Sequence, residues 1–255
     1  MIFLVGSLTL FAQVNDDFSD GNFSVNPTWV GETALWQVTA QELQSNGMSG
    51  QDNIHLSTAS TRVAETEWRI KIRFGESPST NNRIRFYLVS DQADLEGSLN
   101  GYFVEMGENG NNDTYSLYRQ DGTNTTDLIR GPDGLISTGS DAVIKVLRDV
   151  GGNWSLSVEE MNAGFFVDMG TAFDATYSSS QFAGFWVRHS STRRDRFFFD
   201  DVFIGEVVQD TLPPELLLGQ LIDPQNIELD FSDPLDSAAV ANLSIYILNP
   251  GAINP

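Results

Sequence analysis

Between Glu65 and Phe74 polar and apolar residues alternate almost without error. Trp68, Ile70, Ile72 and Phe74 fall on one face, and Glu67, Arg69, Lys71 and Arg73 on the other. A period of two places successive side chains on opposite sides of a strand, so this segment predicts a sheet with one buried face and one wet one. Similar runs recur from Asp16 to about Val207, with no convincing helical periodicity. They predict strands at 35–39, 54–57, 65–74, 83–90, 102–107, 114–120, 127–130, 142–148, 154–159, 165–169, 182–189 and 196–206.

Clusters of Gly, Asn, Asp and Pro punctuate these runs, at 75–78, 109–113, 121–122, 132–134 and 151–153. Such residues tolerate positive φ or pre-set a turn. Two hairpins follow: 144–149 with 154–159 across Val150-Gly-Gly-Asn153, and 102–108 with 115–119 across the Asn-rich turn. About a dozen strands with short connections exceed one immunoglobulin domain and match an all-β, two-sheet antiparallel jelly-roll sandwich. A boundary is expected near Gln209, because Asp210-Thr-Leu-Pro-Pro214 is a stiff extended linker. Beyond it 215–219, 226–231 and 243–248 read as three more strands.

The first residues, Met1 to Ala12, are apolar and end on a small residue before Gln13. They look like the apolar region and cleavage end of a secretory signal, without its basic start. A buried first strand is the alternative, since so short a run cannot span a bilayer. The expected organisation is therefore a leader at 1–13, a jelly roll at 14–207, a linker at 208–214 and a second module at 215–255.

Charge narrows the partners. The net charge is −21, and all 14 basic residues lie between Arg62 and Arg196, while the linker and tail hold seven acids and no base. An acidic surface repels phosphate backbones and anionic membranes, which excludes nucleic acid and membrane insertion beyond the leader. Acidity suits solubility outside cells, and it also suits calcium, which takes six to eight hard oxygens. There is no cysteine, so thiolate zinc sites, disulfides and thiol nucleophiles are excluded.

The segment Ile144 to Val158, reading strand, Arg-Asp, Gly turn, Trp, strand, resembles a hairpin of concanavalin A-like or laminin-G-like domains. Phe197-Phe-Phe-Asp-Asp-Val-Phe-Ile204 looks like the closing strand of such domains. With Asp16-Asp17-Phe18 at the start, it suggests first and last strands side by side. The resemblance spans roughly Asn15 to Glu206. The tail is similar to bacterial Ig-like domains of the SbsA type, on Asp210–Pro214 and the turn Phe231-Ser-Asp-Pro-Leu-Asp236. It covers less than half of an Ig-like sandwich, which implies the front of a longer secreted bacterial multidomain protein.

Relatives of the jelly roll include retaining glycoside hydrolases, which need two carboxyls about 5–5.5 Å apart. Their Glu-x-Asp-x-x-Glu motif is absent here, Glu159 and Glu160 point to opposite faces, and Asp91, Asp94 and Glu96 read as a solvated loop. No Gly-x-Ser-x-Gly elbow, phosphate loop or His-x-x-x-His spacing occurs. His55 reads as an exposed strand residue and His189 as a satisfied edge histidine. For calcium the candidates are Asp16, Asp17, Asp20, Asp200 and Asp201, brought together if the terminal strands pair.

For a ligand the candidates are Arg83, Arg85, Tyr87, Glu105 and Arg188. Aromatics with arginines and carboxylates suit sugars, because rings meet apolar sugar faces and forked groups bind hydroxyls. The competing reading puts Tyr87 and Trp186 in the inter-sheet core. The expectation is a non-catalytic, secreted or cell-surface module binding polysaccharide or another extracellular ligand, with a glycoside-active enzyme and a pure scaffold as alternatives.

Overall fold

The computed structural model describes residues 13–208 except 51 and 162, and residues 214–231 except 224. The expected leader at 1–13, apart from Gln13, and the strand at 243–248 lie outside the described residues. Among the described residues, seventeen strands and a single 3-10 turn (Thr33–Leu35) make up the regular structure. In chain order they begin with β1 (Val14–Asp16), β2 (Trp29–Gly31), β3 (Trp36–Thr39), β4 (Glu42–Ser45), β5 (Asp52–Ala59) and β6 (Thr66–Phe74). They continue with β7 (Arg83–Ser90), β8 (Leu99–Met106), β9 (Tyr115–Gly122), β10 (Asn124–Arg130), β11 (Ser140–Arg148) and β12 (Asn153–Glu160). The last are β13 (Val167–Phe173), β14 (Phe182–His189), β15 (Phe198–Glu206), β16 (Leu216–Asp223) and β17 (Asn226–Phe231).

The described residues fall into two compact units, one up to Val208 and one beyond it. The first is an antiparallel sandwich. Its eight-stranded sheet 1 runs β13-β12-β11-β6-β15-β4-β3, with β1 added on β15, and its seven-stranded sheet 2 runs β10-β9-β8-β7-β14-β5-β2. The first and last strands do lie side by side: Val14 faces Ile204 and Asp16 faces Val202. Both expected hairpins form, as β11–β12 and β8–β9. Strands β2 and β4, of three and four residues, were not expected from the sequence. Strand β13 begins at Val167, two residues later than expected, and β10 begins at Asn124, three residues earlier.

The alternation in β6 buries Trp68, Ile70, Ile72 and Phe74 between the sheets. Trp68 stacks on Trp154 at 5.6 Å, and Phe185 sits amid Phe199 at 4.4 Å, Trp29 at 5.0 Å and Phe86 at 5.6 Å. A buried indole N–H needs an acceptor. Trp68 finds the Leu88 carbonyl (2.9 Å), Trp154 that of Asp174 (2.9 Å), and Trp29 the Asp16 carboxylate (2.8 Å).

After β13 the chain is latched to both sheets through Asp174. Its carboxylate accepts from Tyr102 Oη (2.6 Å) and from Arg119, while Arg148 donates to the carbonyls of Asp174 and Tyr177. Burial, then the bond to Asp174, pushes the Tyr102 hydroxyl up to about 12. Burial would raise Asp174, but the bonds from Tyr102, Thr176 and Arg119 outweigh it and hold its carboxyl below the ordinary range.

The second unit shows one antiparallel hairpin, β16–β17, with Leu216, Leu218, Leu221 and Ile227 exposed.

Candidate functional site

On β7, Ile84, Phe86 and Leu88 join the inter-sheet core, while Arg83, Arg85 and Tyr87 project from the outer face of sheet 2. The strand register then lays out a row across six strands: Arg130, Ser116, Glu105, Arg85, Trp186 and His55. A second row beside it holds Asp127, Tyr118, Phe103, Tyr87, Gly184 and Ser57. Arg83, Arg188 and Asn53 extend the face on the other side. All five ligand candidates named from sequence therefore share one face.

Their chemistry interlocks. The Arg85 Nε donates to Glu105 Oε2 at 2.5 Å, and Arg83 Nη1 stands 3.7 Å from the same oxygen. The Arg85 guanidinium lies over Phe103 at 4.4 Å and over Trp186 at 5.0 Å, and Arg83 lies over Trp186 at 5.4 Å. Tyr87 Oη accepts from Arg85 (3.3 Å) and donates to Gln120 Oε1 (2.8 Å). Burial lowers the Arg83 guanidinium; for Arg85 it acts the same way, but Glu105 and Tyr87 outweigh it and the group is raised. Burial raises the Tyr87 phenol. The Arg83 Nε has no hydrogen-bond partner among the described residues. The side chains of Arg83, Arg85 and Glu105 keep 22%, 17% and 13% of their surface exposed, so each retains some contact with solvent.

The rings beneath are not reachable. Residues 91–98, read from sequence as a solvated loop, fold back over this face. Ser57 Oγ donates to the Ala93 carbonyl (2.8 Å), Asn53 Nδ2 to Glu96 (2.7 Å) and Gln120 Nε2 to the Gly97 carbonyl (3.0 Å). Leu95 is driven into a second apolar cluster with Tyr87, Leu99, Phe103 and Trp186. Gly184 makes this close approach fit, since a Cβ there would lie 3.0 Å from Leu95 Cδ1 and 2.2 Å from the Leu56 carbonyl oxygen. With Phe103 at 0%, Tyr87 at 1% and Trp186 at 6% exposure, the rings act as a bed for the guanidiniums and not as a stacking platform. Tyr87 and Trp186 thus lie outside the inter-sheet core, contrary to the competing reading. The signal was the pair Leu95 and Leu99 inside an otherwise polar stretch.

His55 also differs from expectation. It is buried on this face, with Nδ1 3.3 Å from Glu32. His189 is wholly buried, and its Nε2 has no partner among the described residues. At the far end of the row a small cavity of about 10 Å³, room for one water, is lined by Glu105, Thr114, Ser116, Tyr118 and Arg130.

The five aspartates do not form a calcium cage. The terminal strands pair as expected, but the carboxylates are taken by separate partners and do not converge. Asp16 points inward, accepting from Trp29 Nε1 and from the Phe18 N–H (3.0 Å), and burial raises its carboxyl. Asp20 closes a local turn with Asn22, and Asp200 meets Lys71 at 3.3 Å. Asp201 stands at a β-bulge between Asp200 and Phe203 with φ at 49°, and lines an open hollow together with Asp17. Among the described residues no group of three or more acids and histidines is arranged to hold a metal ion.

No protein-family model matches this sequence, and no match to a curated protein is found. Solved structures do match. The VIP36 exoplasmic/lumenal domain in its Ca2+/Man-bound form aligns with a TM-score of 0.54 at 11% identity, covering 83% of this chain and 91% of that one. A legume lectin-like domain from Entamoeba histolytica aligns at 0.52 and 13%, covering 79% and 97%. The Emp47p carbohydrate recognition domain aligns at 0.50 and 13%, covering 78% and 97%. Identities this low establish the fold alone: an all-β, two-sheet antiparallel jelly-roll sandwich like that of these legume-lectin-like neighbours.

Proposed function

We propose that the sandwich is a non-catalytic carbohydrate-binding module acting outside the cell, and that the outer face of sheet 2 is where it meets its ligand. The observation that carries this reading is the register that sets Arg83, Arg85, Glu105, Arg188 and Asn53 on one face, with two of the arginines fixed over buried rings. Forked guanidinium and carboxylate groups bind paired hydroxyls, which both donate and accept. A face alternating donors and acceptors suits a polyhydroxyl ligand better than an anion, which the net charge of −21 would repel. Pre-set side chains also lose little rotamer entropy on binding. That solved neighbours include a Man-bound lumenal domain and a carbohydrate recognition domain agrees with this reading. The β16–β17 hairpin beyond the linker is read as part of an Ig-like spacer.

A glycan array probed with the whole chain, with and without calcium, tests the proposal. Retention of a defined glycan set, weakened at least about tenfold by Arg85→Ala, is the expected result; loss of 1.4 kcal/mol or more corresponds to that factor. A blank array, or binding indifferent to Arg85→Ala and Glu105→Gln, would refute it. Release of reducing sugar abolished by one carboxylate substitution would favour an enzyme instead.

A further inference from the structure

His55 is a buried imidazole that the proposed ligand contacts leave unused, and two carboxylates from separate parts of the chain meet around it. It lies on the outer face of β5, beside Trp186 of β14. Its ring packs on Gly31 of β2, where a Cβ would come within 3.0 Å of the ring Cδ2. Glu32 is locked onto the same residue. Its Oε2 accepts the His55 backbone N–H (2.9 Å), and its own N–H donates to the His55 carbonyl (3.2 Å). That oxygen also lies 3.3 Å from Nδ1, which has no hydrogen-bond partner among the described residues. The other ring nitrogen, Nε2, is 3.9 Å from Asp94 Oδ1, an oxygen already held by the Glu96 N–H (2.9 Å).

Asp94 belongs to the 91–98 loop that covers Tyr87, Phe103 and Trp186. Other ties of that loop are indifferent to mild acid: the burial of Leu95, and the bonds from Ser57 and Gln120 to its carbonyls. The charged groups around the imidazole come from three elements. Glu32 follows β2, and Asp94 and Glu96 stand on the loop, with Glu96 held by Asn53. On the sheet, Trp186 lies between His55 and Arg85, and Arg188 stands diagonally, opposite Asn53. The two nearest charges are both acids. Histidine gains its charge between pH 8 and 5, an interval in which carboxylates ordinarily keep theirs. A neutral ring therefore only separates Glu32 from Asp94, whereas a protonated ring attracts both.

We propose that His55 is an acid-tightened latch on the 91–98 loop: its protonation ties the loop, through Asp94, to Glu32 and keeps the rings beneath sealed. Only the protonated ring attracts, so the tie is complete at low pH and lost as pH rises through the imidazole's midpoint. The Asp94 side chain is 75% exposed, so solvent screens the pair and the gain is a factor of about three, not of hundreds. Any consequence for glycan binding rests on the reading of sheet 2 as the ligand face; the latch itself does not.

The test is an NMR pH titration of the imidazoles in the whole chain, joined to amide exchange of residues 93–97 at about pH 5.5 and 7.5. Exchange is corrected for intrinsic rates and referred to the core amides of β6. Asp94→Asn should lower the His55 midpoint by about half a pH unit, equivalent to about threefold, and leave His189 unaffected. Protection of the loop should be about threefold greater at the lower pH in the wild type, and equal at both in Asp94→Asn. Asp94 is exposed, so the variant should keep its fold. An unmoved midpoint, a His55 that stays neutral down to about pH 5, or loop protection independent of pH would each overturn the proposal. None of these readouts needs a glycan. A blank array with the pH response intact refutes the ligand face alone, and glycan binding without the pH response refutes the latch alone.

Discussion

Tyr102 shows how much a single hydroxyl can hold in this chain. It donates to Asp174 and accepts from the Tyr177 N–H (3.1 Å), so one buried oxygen fixes the loop that joins β13 to β14. Tyr102→Phe removes both bonds and leaves a buried carboxylate short of a partner. The expected cost is about 2 kcal/mol, read from urea midpoints. The same group makes stability depend on alkaline pH. Its folded value is about 12, whereas a free tyrosine titrates near 10. Below pH 10 both states hold the proton and the group contributes no pH dependence. Between about 10 and 12 the unfolded chain releases it first, so stability falls as pH rises. The wild-type midpoint should decline more steeply over that interval than that of Tyr102→Phe. Equal slopes would show that the hydroxyl is not held as described.

At the scale of elements the 91–98 loop decides what the candidate face can do. Leu95 is 1% exposed and seats the loop on Tyr87, Phe103 and Trp186. Leu95→Ala should destabilise the chain by about 2–3 kcal/mol, at the low end for a buried leucine because the cavity opens toward solvent. It should also raise the accessibility of Trp186, measured by fluorescence quenching; unchanged quenching would contradict the loop's covering role. The sequence hid this element because seven of the eight residues from Asp91 to Ser98 are polar or small, and one leucine cannot display a period. By contrast β7 was legible to the residue and β6 to within one, since Trp68, Ile70, Ile72 and Phe74 and then Ile84, Phe86 and Leu88 alternate into the core. That alternation alone sets Arg83, Arg85 and Tyr87 on one face. The calcium candidates are kept apart by separate partners: Asp16 turns inward to Trp29, Asp20 closes its own turn, and Asp200 is held by Lys71 while Asp201 stands at a bulge.

For the whole molecule the consequence is two chemically different faces on one sandwich. Sheet 2 presents arginines fixed over rings that its own loop has sealed, and sheet 1 presents an open hollow whose lining includes Asp17 and Asp201. The fold was readable because a two-sheet core needs only period-two burial and frequent turns, both of which survive in sequence. The sites were half readable, because a face follows from register but a concavity follows from sheet curvature and loop packing, which no local pattern records. The most direct check of the central claim is a backbone and indole NMR titration of the chain with the best glycan from the array. The account predicts saturable shifts centred on Arg83, Arg85, Glu105 and Arg188 and on the Trp186 indole. Shifts confined to other surfaces, or none at saturating ligand, would contradict it.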